Sequence, residues 1–149
     1  MHTWLVRDWM TADPITASPK MNLPEALQLM AQHSIRRLPI VDKGELVGMV
    51  TRGDLRGAQP SQATSLSVFE LHYLVGRITL EQIMTRHLLT VADTMSIQDA
   101  ARLMLQRKIA GLPVLKDGRL VGIITESDIF RLVVRTWEEK PEPAPALAH

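Results

Sequence analysis

The sequence contains no cysteine in its 149 residues. That excludes disulfide staples, thiolate metal sites and a cysteine nucleophile. Neither sign of charge prevails: 17 Lys and Arg face 16 Asp and Glu, for a formal charge of +1. So balanced a chain offers no broad field to nucleic acid or to an anionic membrane surface. Long apolar runs are missing too. The start, Met1-His2-Thr3-Trp4-Leu5-Val6-Arg7-Asp8, lacks the apolar stretch of a secretory signal, and no later segment is long enough to span a bilayer. The expectation is a soluble cytoplasmic protein without a nucleic-acid or membrane partner.

Catalytic signatures are equally scarce. The five histidines (His2, His33, His72, His87, His149) include no pair at metal-ligand spacing on a helix. There is no glycine-rich phosphate loop of Walker or Rossmann type, and no Gly-x-Ser-x-Gly elbow. Most of the eight methionines fall on apolar helical stripes, where core filling explains them. The chain reads as a non-enzyme with no catalytic residue, no metal ligand and no required cofactor.

What is present is a duplication. Residues Met10 to Leu55 align without a gap on Met84 to Ile129. Thr16 meets Thr90, Ala26 meets Ala100, and Leu38-Pro39 meets Leu112-Pro113. Leu46-Val47-Gly48 meets Leu120-Val121-Gly122, while Thr51 and Asp54 meet Thr125 and Asp128. Roughly a third of the aligned positions are identical, which marks an internal repeat. The function must therefore be one that a duplicated unit can perform.

Each copy reads as helix, strand, strand, helix. Asn22 with Glu25, and Ser96 with Asp99, are capping pairs before apolar residues at helical spacing. Two short apolar runs follow in each copy, Leu38–Val41 with Leu46–Val50 and Leu112–Leu115 with Leu120–Ile124. The turns between them centre on Gly44 and on Asp117-Gly118, a hairpin signal that calls for positive φ. Pro14-Ile15-Thr16-Ala17 and Leu88-Leu89-Thr90-Val91 serve as extended lead-in segments, which makes each copy a β-α-β-β-α unit. The division is 6–56 for the first copy, 57–79 for a connecting loop and helix, 80–135 for the second copy and 136–149 for a flexible Pro/Ala-rich tail. The connecting helix is placed at Ser67 to Gly76.

The chemistry-bearing residues stand at the end of each copy. Thr51-Arg52-Gly53-Asp54 and Thr125-Glu126-Ser127-Asp128 place a hydroxyl and a carboxylate three residues apart at a strand-to-helix junction. That spacing is a helix cap. It also suits a carboxylate that accepts hydrogen bonds from a ribose diol, with N–H groups of the same turn near phosphate. The two readings are compatible.

The doubled order of Thr lead-in, Leu-Pro-[Ile/Val] strand and Gly-x-[Val/Ile]-[Val/Ile]-Thr-x-x-Asp ending resembles a tandem pair of cystathionine-β-synthase (CBS) domains, a Bateman module. The likeness runs from about Val6 to Arg135, and the inserted helix is similar to stand-alone bacterial CBS proteins of the acetoin-utilisation type. It implies an α/β (α+β) fold of two repeats about a pseudo-twofold axis, with two ligand clefts. One cleft would hold Thr51, Arg52 and Asp54 with Leu89, Thr90, Lys108, Ile109, Gly111 and Pro113. The other would hold Thr125, Glu126 and Asp128 with Ile15, Thr16, Ala17, Ile35, Arg37 and Pro39. The implied ligands are adenosine-containing: AMP, ADP or ATP, and less often S-adenosylmethionine or NAD. Apolar lead-in residues would flank adenine, Asp54 or Asp128 would take the ribose, and basic residues the phosphate.

The copies differ in charge. Arg52 stands where the second copy has Glu126, and Gly111 stands where the first has Arg37. The two clefts are therefore expected to differ in affinity, with more phosphate tolerated where arginine outweighs acid. The resulting reading is a regulatory nucleotide sensor acting on an unknown partner protein. The alternative is a structural dimerisation module with vestigial clefts, pairing through the helices that follow Asp54 and Asp128.

Overall fold

The computed structural model describes residues 3–60 and 65–139. Residues 61–64 of the connecting loop and 140–149 of the tail lie outside the described residues, while 136–139, expected as the start of the flexible tail, form the last turn of α7. In chain order the elements are α1 (Val6–Trp9), β1 (Thr11–Ala12), α2 (Leu23–His33), β2 (Arg37–Asp42), β3 (Glu45–Thr51) and α3 (Arg52–Gly57). There follow α4 (Val68–Arg77), α5 (Leu80–Ile83), β4 (Val91–Ala92), α6 (Ile97–Arg107), β5 (Gly111–Lys116), β6 (Arg119–Thr125) and α7 (Glu126–Glu139).

The local signals form what they promise. Asn22 accepts the Glu25 N–H at 2.9 Å and starts α2, while Ser96 accepts the Asp99 N–H at 3.1 Å and starts α6. Both helices end on a residue in the left-handed region, Ser34 and Lys108. β2 pairs with β3 and β5 with β6 as antiparallel hairpins. Their turns carry positive φ at both central residues, Lys43-Gly44 and Asp117-Gly118. Glycine makes the second position inexpensive in both turns; Lys43 occupies a conformation that aspartate tolerates better. The connecting helix α4 is capped by Ser67 at the Glu70 N–H, and Val68, Phe69 and Tyr73 on it are exposed.

The compact units do not coincide with the copies. One unit combines the described residues of Met1–Asp13 with those of Leu89–His149; the other is Pro14–Leu88. Each unit therefore contains one hairpin and the stretch of chain that introduces the other hairpin. The bonds that fix this arrangement are the same in both. The Val6 N–H reaches Met95 O at 2.8 Å, as the Leu80 N–H reaches Met21 O at 2.9 Å. The Ile97 N–H reaches Trp4 O, and the Leu23 N–H reaches Ile78 O, both at 2.9 Å. Thr11 lies opposite Ile123 on β6, just as Thr85 bridges Met49 on β3.

This last pairing explains the prolines. Met49 gives its N–H and its carbonyl to Thr85, so Pro39, opposite Met49 on the other side, is asked for no N–H. Pro113 stands in the same relation to Ile123. On the far side of each hairpin the lead-in pairs parallel, Ala17 with Ile40 and β4 with β5. The first unit thereby becomes a four-stranded sheet in the order β1-β6-β5-β4, and the second repeats that order with single bridges at its edges.

The cores match at eight positions and differ at one, Leu132 in the first and Leu55 in the second. Val6, Val91, Ile97, Ala100, Met104, Leu112, Val114 and Ile124 fill one; Leu80, Ala17, Leu23, Ala26, Met30, Leu38, Ile40 and Val50 fill the other. Glycine is required where the exchanged segment crosses the hairpin. A Cβ on Gly122 would stand 2.8 Å from Thr11 O and 2.9 Å from Met10 Cγ, and one on Gly48 would stand 2.8 Å from Met84 Cγ. Backbone cannot yield as a side chain can. Gly122→Ala should therefore cost about 1–3 kcal/mol and Gly48→Ala less, read by chemical denaturation. Gly76→Ala, with nothing near its Cβ on α4, should be neutral or stabilising by up to about 1 kcal/mol. Leu80→Ala, fully buried, should cost about 2–5 kcal/mol.

Candidate functional site

Thr51 ends β3 and Asp54 sits in the first turn of α3, so strand pairing and helix start position them together. Thr51 Oγ1 accepts the Asp54 N–H at 3.1 Å, and Asp54 Oδ2 accepts the Thr51 N–H at 2.9 Å. This reciprocal box fixes the carboxylate. Its other oxygen, Oδ1, has no hydrogen-bond partner among the described residues, and Asp54 is exposed. The next bond ties the motif to the hairpin: the Arg52 N–H donates to Arg36 O at 2.8 Å. Thr51 lies opposite Arg37 in the β2–β3 register.

The twin motif is built on the same backbone and finished differently. Thr125 lies opposite Gly111, and the Glu126 N–H donates to Ala110 O at 3.0 Å. Asp128 Oδ2 accepts both the Thr125 N–H, at 2.8 Å, and the Thr125 hydroxyl, at 3.1 Å. Its Oδ1 is held by Arg131 at 2.6 Å, and the side chain is only 3% exposed. Both carboxylate oxygens are therefore occupied. A ribose diol can reach the free Oδ1 of Asp54 without breaking a bond; at Asp128 it would have to displace Arg131.

The residues expected to share a cleft are divided between the two compact units. Thr51, Arg52 and Asp54 belong to one with Ile15, Thr16, Ala17, Ile35, Arg37 and Pro39, and Thr125, Glu126 and Asp128 to the other with Leu89, Thr90, Lys108, Ile109, Gly111 and Pro113. Within its own unit, each Thr-x-x-Asp stands beside the strand start of its own copy. Thr16 and Lys108 are exposed, and Ile15, Ile35, Leu89, Thr90 and Ile109 are half-buried. Ala17, Pro39, Gly111 and Pro113 are buried.

Two arginines escaped the sequence reading of the site. Arg131 is visible in retrospect as a cation three residues after Asp128, and Arg56 as one four residues after Arg52. Among the described residues, no group of three or more His, Asp or Glu is placed to hold a metal ion. No helix there is long and apolar enough to cross a membrane.

The two carboxylates should respond differently to removal. Asp54→Ala strips one exposed cap and should cost about 1 kcal/mol. Asp128→Ala leaves Arg131 and the Thr125 N–H without their acceptor, and should cost about 1–3 kcal/mol. Urea melts of the two variants measure the difference.

The family model for the CBS domain matches the chain twice, at residues 6–61 and 80–135. The CBS domain-containing protein YhcV of Bacillus subtilis is 32% identical over 124 residues, 83% of this chain and 81% of that protein. The L-aspartate semialdehyde sulfurtransferase of Methanocaldococcus jannaschii is 35% identical over 130 residues, 86% of this chain, but the chain spans only 23% of that protein's length. Among solved structures, a putative acetoin utilization protein (AcuB) from Vibrio cholerae has a TM-score of 0.77 at 32% identity, over 95% of this chain and 100% of that one. The CBS domain pair of protein MJ0100, in complex with 5′-methylthioadenosine and S-adenosyl-L-methionine, has a TM-score of 0.75 at 34% identity, over 91% and 99%. CBSX2 in complex with AMP has a TM-score of 0.72 at 31% identity, over 89% and 98%. With its mixed α/β fold, its duplicated hairpins and a Thr-x-x-Asp at the end of each, the chain belongs to the CBS-domain family and carries two CBS domains in tandem.

Proposed function

We propose that the chain is a regulatory module that binds an adenosine-containing ligand and catalyses nothing, its occupancy biasing a partner protein. The observation that carries this reading is the Thr51–Asp54 box. It holds a carboxylate in place through one oxygen and leaves the other exposed for a ribose diol. The ligands named for MJ0100 and CBSX2 support the adenosine class. Asp54 is the principal ribose acceptor in this reading, and Asp128 a weaker one because Arg131 competes for it.

A thermal-shift panel of AMP, ADP, ATP, S-adenosylmethionine and NAD, with GTP as control, tests the reading. A ligand at 100 times its dissociation constant stabilises the folded state by about 2.7 kcal/mol, a clear rise in Tm. The expected outcome is a rise with at least one adenosine ligand and none with GTP. Asp54→Ala should abolish the rise, and Asp128→Ala should only reduce it. If no adenosine ligand raises the Tm, or if both variants weaken binding equally, the reading fails.

A second reading, association through a helix face, has its own observation. Phe130, Val134 and Trp137 are exposed at helical spacing on α7. The helix after Asp54 has no such face: α3 is six residues long and its Leu55 is fully buried. Homodimer formation is therefore assigned to α7 alone. Light scattering should report a dimer for the native chain and a monomer for Trp137→Glu, with Leu55 untouched.

A further inference from the structure

The two Thr-x-x-Asp motifs share their backbone and differ at the third residue after the aspartate. Arg131 stands there in the second copy and Gly57 in the first, at matching positions of the repeat. Both positions are helical, Gly57 as the last residue of α3 and Arg131 within α7. Residues three apart on a helix are side-chain neighbours, so a long cation at this position lies over the carboxylate. Arg131 donates to Asp128 Oδ1 at 2.6 Å, and its side chain is 68% exposed where that of Asp128 is 3% exposed. An exposed guanidinium thus covers a buried carboxylate. Arg56 cannot do the same for Asp54, because residues two apart on a helix do not face each other. No ion pair of the described residues uses Asp54.

The fold does not need this cover. The Thr125 N–H and hydroxyl already hold Asp128 through Oδ2, and the first copy completes its capping box with glycine at the matching position. Packing does not impose that glycine either. A Cβ on Gly57 would meet nothing within 4 Å, and Gly57 is not among the residues of positive φ. Arginine is also the better helix former. The first copy therefore keeps glycine where an arginine would fit without strain.

We infer that Arg131 is an autoinhibitory latch, and that the residue three places after each motif aspartate decides whether that aspartate can accept a ribose diol. Glycine leaves the first acceptor open, and arginine closes the second. The latch rests on the ribose role proposed above for the two aspartates; what it adds is that one exchangeable side chain sets how many sites the chain offers. A diol arriving at Asp128 must replace a guanidinium by neutral hydroxyls, which are the weaker donors to a carboxylate. At the exposed Asp54 it displaces solvent alone. The latched chain holds one ligand tightly, and the unlatched chain holds two.

Two measurements on the full chain test the latch. Calorimetric titration uses adenosine, which carries the diol and no charge, with 2′,3′-dideoxyadenosine as the control that lacks it. The native chain should bind one equivalent of adenosine tightly, Arg131→Ala two, and Gly57→Arg none. Combining Gly57→Arg with Arg131→Ala should restore one equivalent, now abolished by Asp128→Ala and indifferent to Asp54→Ala. Arg131→Ala should tighten adenosine at the second site at least about tenfold and leave dideoxyadenosine unchanged. Carbodiimide coupling of an amine to the carboxylates, read by mass spectrometry, needs no ligand. Asp128 should couple faster in Arg131→Ala than in the native chain, and Asp54 more slowly in Gly57→Arg. The latch is overturned if these exchanges leave coupling unchanged, if Arg131→Ala still binds a single equivalent of adenosine, or if it gains dideoxyadenosine as readily. Coupling that shifts as expected while adenosine binds no variant leaves the latch standing as a lock on the carboxylate and overturns the nucleotide reading instead.

Discussion

The structure depends on a close crossing of backbone over backbone. At Gly122 the strand β6 admits Met10 and Thr11, and at Gly48 the strand β3 admits Met84 and Thr85. Without it each hairpin would keep its lead-in on one side and an open edge on the other. The crossing covers that edge, supplies the partner groups that allow a proline in the middle of the neighbouring strand, and brings Val6 or Leu80 into the core. Neither copy can complete its unit from its own residues alone. The duplication is thus a condition of folding as well as an ornament of function.

The same economy governs the Thr-x-x-Asp motif. A capping box needs one carboxylate oxygen, and a diol needs an acceptor held in a fixed place. In the first copy the cap uses Oδ2 of Asp54 alone and leaves its Oδ1 without a partner among the described residues. In the second copy Arg131 takes the remaining oxygen of a buried Asp128, and both carboxylate oxygens are occupied. One cation three residues along a helix is enough to separate two motifs that are identical at Thr and Asp. Capping and ligand binding are therefore alternatives only where a third group intervenes.

Much of this was legible in the sequence, for a physical reason. Repeat spacing, caps at Asn22 and Ser96, and turns at Gly44 and Gly118 are local features, and local interactions decide them. Membership of the units was not legible. Val6 and Leu80 are each apolar and could serve either hairpin; only the register of Thr11 on Ile123 and Thr85 on Met49 shows that each serves the other copy's. α4 packs one face only: Val75 lies against the core of its unit while Val68, Phe69 and Tyr73 are exposed, since periodicity reports a face without its partner. Arg56 reads as one more solvated helix residue until α2 is seen across an open cavity from it.

A fold that repeats eight positions of its core leaves its surfaces free to diverge. Exchange of Arg36, Arg52 and Arg56 for Ala110, Glu126 and Phe130 touches neither the crossing glycines nor the matched cores. Charge can therefore be concentrated in one unit at little cost to the stability of either.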